Sequence, residues 1–69
     1  MDEKEIFDLI LKADDALKYA TEEKIPARAM QARGFLTQAL EEARAIGNEG
    51  LAQQAERRLA DLESLPGAD

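Results

Sequence analysis

Apolar residues recur along the chain at helical spacing in three runs. In the first, Ile6, Leu9, Ile10, Ala13, Ala16, Leu17 and Ala20 fall on one face. In the second, the stripe is Ala29, Ala32, Leu36, Ala39, Leu40, Ala43 and Ile46, and in the third it is Leu51, Ala55, Leu59 and Leu62. Repeats of three and four residues are the signature of amphipathic helices. The boundaries agree with that reading. Asp2 with Glu5 three residues later forms a capping-box pattern. Lys24-Ile25-Pro26 is a first break, with Pro26 suited to an opening turn because its missing N–H would be unpaired there anyway. Gly47-Asn48 is a second break, a C-terminal cap followed by an N-cap. Leu65-Pro66-Gly67 closes the third run. The pattern predicts helices over about residues 3–22, 26–46 and 49–64. Short connections make consecutive helices antiparallel neighbours, so the expected fold is all-α, a three-helix up-down-up bundle forming one domain.

Composition supports this and narrows it. Alanine, leucine, glutamate, lysine, arginine and glutamine, the strong helix formers, dominate. Valine is absent, and no alternating strand can be written anywhere. Four of the seven residues in the second stripe are alanine, which lets a partner helix come close. Gly34 interrupts that helix at a cost of about 1 kcal/mol relative to alanine, and is expected to mark a close backbone contact or a mild bend.

The 69 residues carry a net charge of −6. An acidic chain disfavours nucleic acid, whose binding is driven by basic surface and counterion release, and equally disfavours anionic membranes. A helix-turn-helix reader, the distant alternative, would need a basic third helix. Here Arg57 and Arg58 are set against Glu49, Glu56, Asp61 and Glu63. The opening Met1-Asp2-Glu3-Lys4-Glu5 is neither a basic-then-apolar secretory leader nor an Arg-rich transit peptide. No apolar run approaches the ~20 residues that span a bilayer. A cytoplasmic protein is expected.

Chemistry has little to work with. Cysteine and histidine are both absent, so ordinary zinc or haem ligation is not expected and no disulfide can form. The hydroxyls of Tyr19, Thr21, Thr37 and Ser64 have no activating partner by spacing. The pairs Asp14-Asp15, Glu22-Glu23 and Glu41-Glu42 diverge by about 100° on a helix and do not converge on one ion or proton. They read as solvated charge, and Asp14 with Lys18 has the spacing of an i,i+4 pair. No catalytic residue, no cofactor and no metal site is expected, and the chain is read as a non-enzyme.

The run Ala32…Leu36-Thr37-Gln38-Ala39-Leu40-Glu41-Glu42-Ala43, followed by Ala43-Arg44-Ala45-Ile46-Gly47-Asn48 and by Leu59-Ala60, resembles a tetratricopeptide (TPR) helical repeat. The resemblance implies helical-hairpin packing and a bias towards protein binding. Positions where that family carries aromatics hold Ala16, Glu23, Glu56 and Glu63, so no ligand residue is carried over.

One geometric feature points to function. With Ile6 at 0° and about 100° per residue, the inward residues of the first helix lie between about 280° and 40°. Phe7 and Leu11 lie at about 100° and 140°. They form a second apolar ridge that a three-helix monomer can cover only if the third helix wraps wide. Otherwise they form an interaction surface. The expectation is a helical protein-interaction or self-association module, a homo-oligomer with a dimer favoured. The alternative is an accessory or regulatory subunit that docks a larger protein complex.

Overall fold

The computed structural model describes residues 1–64 and contains three helices, α1 (Glu3–Lys18), α2 (Ile25–Ala45) and α3 (Glu49–Glu63). No strand occurs among the described residues. The expected Leu65-Pro66-Gly67 terminator lies outside them. Helix α1 packs on α2 and α2 on α3, while α1 and α3 meet only along a narrower seam. None of the three is long and apolar enough to cross a membrane.

The start of α1 is the expected capping box. The Glu5 N–H donates to Asp2 Oδ1 at 2.8 Å, and the Asp2 N–H donates to Glu5 Oε1 at 3.2 Å. The end of α1 differs from expectation. It stops at Lys18, four residues short of Glu22. The Ala20 N–H reaches back only to the Leu17 carbonyl at 3.2 Å, which tightens and closes the last turn. A separate turn follows, in which the Thr21 carbonyl accepts from Lys24 and Ile25. It turns the chain so that α2 can return along α1. Lys24 gives α2 no side-chain cap, and Pro26 sits in the first turn, where it forfeits no hydrogen bond.

The second connection is tighter. The Asn48 N–H donates to the Ala43 carbonyl at 2.8 Å and the Gly47 N–H to the Arg44 carbonyl at 3.1 Å. This is a Schellman closure, and it requires the left-handed conformation that Gly47 adopts at φ 72°. The same reversal carries Ile46 off the core. Expected to point inward, it is 44% exposed. Asn48 then caps α3, its side chain accepting from the Leu51 N–H at 3.1 Å.

The core is built from Ile6, Leu9, Ile10 and Ala13 of α1, from Ala29, Ala32, Leu36, Ala39 and Ala43 of α2, and from Leu51, Ala52, Ala55 and Leu62 of α3. Ala16, Leu17, Phe35, Leu40 and Leu59 are half-buried at its edge. Four of the five buried residues of α2 are alanine, as a central helix flanked by two neighbours requires. Gly34 plays no part in this close approach. It is exposed, and a Cβ placed on it would meet nothing within 4 Å.

Candidate interaction surface on the first helix

Phe7 and Leu11 stand four residues apart on α1, one above the other on the same side. Each is 42% exposed. Helix α3 therefore runs beside the ridge without covering it. On the side facing α3, Phe7 borders an open groove of about 450 Å³ that it shares with Lys4, Asn48, Gly50, Leu51 and Gln54. Further along the same seam, a groove of about 590 Å³ is lined by Asp14, Gly50, Gln53, Gln54, Arg57 and Asp61. The glycine at position 50 leaves room at the junction of the two.

Asp14 and Arg58 hold the seam together at its far end. Arg58 Nε donates to Asp14 Oδ1 at 3.0 Å and to Oδ2 at 3.3 Å, and its Nη1 reaches the Gln54 carbonyl at 3.4 Å. Both side chains are partly solvated, so the pair contributes only about 0.2–1 kcal/mol. It joins α1 to α3 beside the core that Ile6, Leu9, Ile10 and Ala13 orient. The i,i+4 spacing had paired Asp14 with Lys18. In the structure, Lys18 instead holds its ammonium 5.4 Å from the Tyr19 ring centroid. Below the Asp14–Arg58 pair lies a small apolar cleft of about 160 Å³ between Ala13, Leu17, Leu36 and Leu62.

Met1 and Ile46 are 45% and 44% exposed at the end of the bundle where the Met1 ammonium reaches Glu42, while Met30 and Tyr19 stand alone. Met30 is 75% exposed on α2, with Arg33 and Gly34 one turn on, and Tyr19 is 83% exposed at the end of α1. Solitary apolar residues are ordinary on protein surfaces, whereas a pair of large ones one turn apart forms a patch. Among the described residues, no group of three Asp or Glu side chains is placed to hold a metal ion, and no buried polar side-chain atom lacks a hydrogen bond.

The angular reading of α1 thus located Phe7 and Leu11 outside the buried arc, and the structure brings them together. It did not reveal the α3 residues beside them. Gly50 and Gln54 carry no periodic signal that would place them opposite Phe7. No protein-family model matches this chain, and neither does any curated protein or solved structure.

Proposed function

We propose that this chain is a non-catalytic helical interaction module that self-associates through the outer face of α1, with a dimer as the favoured assembly. The observation that carries the proposal is the half-exposed Phe7–Leu11 pair. Fully burying a side chain of this size stabilises by about 1.5–3 kcal/mol, so covering the remaining part of each contributes about 1 kcal/mol. Four such side chains in a two-fold pair contribute about 4 kcal/mol, at the bottom of the roughly 4–15 kcal/mol that association costs. The ridge alone only meets the smallest of those costs, so contacts on its flanks have to supply the net stability of the dimer. Symmetric dimers are also the commonest closed assembly of soluble chains.

A second reading has its own support in the seam between α1 and α3. An open groove lined by Gln53, Gln54 and Arg57 offers donors to an extended segment of another protein. In that case the helices would act as a TPR-like hairpin plus one helix, and the chain as an accessory subunit of a larger complex.

Light scattering over a concentration series distinguishes the two. Self-association predicts a mass that rises from one chain to two, and a Phe7→Glu, Leu11→Glu double variant that stays at one while retaining its helical circular dichroism. A wild type that remains monomeric at its highest soluble concentration refutes self-association and favours the accessory reading.

A further inference from the structure

The outer face of α1 carries charge in an order that complements itself only when a second copy lies on it in the opposite direction. Around the helix, Lys4 lies at about 160° and Asp15 at about 180°, beside Leu11 at about 140°. All three belong to one face. Along the helix, Lys4 precedes Phe7 by three residues and Asp15 follows Leu11 by four. On this flank a lysine thus precedes the apolar pair and an aspartate follows it, while Lys18, at about 120°, lies on the same face three residues beyond Asp15. Lys4 and Asp15 are both exposed, and neither makes an ion pair within the described residues. Asp14 differs, since Arg58 already offsets its charge.

We propose that two copies pair antiparallel along this face, about a two-fold axis level with Leu9. This rests on the self-association reading above and adds the direction and the register. In this register Phe7 meets the partner's Leu11, and Lys4 falls within one residue, about 1.5 Å, of the level of the partner's Asp15. The two-fold axis makes that contact twice. Asp8 and Lys12, at about 200° and 240°, lie away from the contact and take no part in it. Glu3 falls near the partner's Asp14, where the carboxylate is already met by Arg58. A parallel pair would instead set Lys4 against Lys4 and Asp15 against Asp15. Antiparallel helix dipoles favour the same choice.

The test uses two charge reversals, Lys4→Glu and Asp15→Lys, each examined alone and mixed in equal amounts by sedimentation equilibrium. Both sites are exposed, and both substitutions suit the dipole of α1, with an acid in its first turn and a base near its last. The monomer fold is therefore retained, as circular dichroism melts will verify. Each variant alone is expected to dimerise on the order of tenfold more weakly than wild type, because two weak attractions become two repulsions. The mixture is expected to recover wild-type affinity, since the carboxylate introduced in one variant then meets the ammonium introduced in the other. The differences should shrink in high salt. Single variants as tight as wild type, with a mixture tighter than either, would show parallel pairing and overturn the proposal. Dimerisation indifferent to all three arrangements would also overturn it, while leaving self-association through Phe7 and Leu11 standing. A monomeric wild type overturns both.

Discussion

Helix α1 meets its neighbour with large side chains, Ile6, Leu9 and Ile10, whereas α2 meets two neighbours mostly with alanines, relieved by Leu36. The difference follows from position. Small contact residues let both neighbours approach α2 closely, since the distance between helix axes follows the size of the side chains between them. Phe35 and Leu40 are half-buried at the edge of this contact, and Met30 is 75% exposed on the outside of α2. Helix α1 is covered fully on one side and only partly along its seam with α3. It can hold a complete core face and still carry Phe7 and Leu11 on another. Exposure by itself therefore says little here. What separates the two helices is that the exposed apolar residues of α1 are large, paired and one turn apart.

The contrast can be broken first in the core. Leu36 is the one large buried side chain of α2, and Leu36→Ala should destabilise by about 2–5 kcal/mol. For so small a domain this is most of its stability, and thermal melting would show a lost or strongly lowered transition. A smaller effect is expected from Ala39→Leu, which overfills the close approach of the helices and should cost about 1–3 kcal/mol. If Ala39→Leu melts like wild type, α2 is not tightly flanked and the contrast with α1 fails. Third comes Gly47→Ala. It places a Cβ on a residue at φ 72°, and should cost about 1–2 kcal/mol through the left-handed penalty. Urea titration would detect it as a lowered midpoint with an unchanged slope. The smallest effect has the opposite sign. Gly34 faces open space on α2, so Gly34→Ala should stabilise by about 1 kcal/mol. A destabilised Gly34→Ala would reveal a backbone contact beyond those that the described residues make.

The three helices, their starts and most of the core were legible because each was signalled locally. The reciprocal bonds of Asp2 and Glu5 lie within one turn, and Gly47-Asn48 combines two cap preferences in adjacent residues. The end of α1 was not legible. Thr21-Glu22-Glu23-Lys24 contains no residue that refuses a helix, and the chain leaves the helix there because α2 has to come back against it. Ile46 was misplaced for a related reason, since periodicity carried past the last helical turn ignores the reversal at Gly47. Gly34 was expected to mark a close contact or a bend, but a glycine's tolerance of close approach does not imply that anything approaches. The candidate surface was half legible. The angles of Phe7 and Leu11 are a property of α1 alone. The Asp14–Arg58 pair joins residues 44 apart in the chain and is fixed only by packing.

In the proposed assembly α1, and not α2, presents the interaction surface. The most direct test is a dilution series of two-dimensional amide NMR spectra from millimolar to micromolar chain. Concentration-dependent shifts are expected to concentrate at Lys4, Phe7, Leu11 and Asp15, with the outer face of α2 around Met30 unmoved. Spectra that do not change on dilution, or shifts centred on Met30, would contradict it.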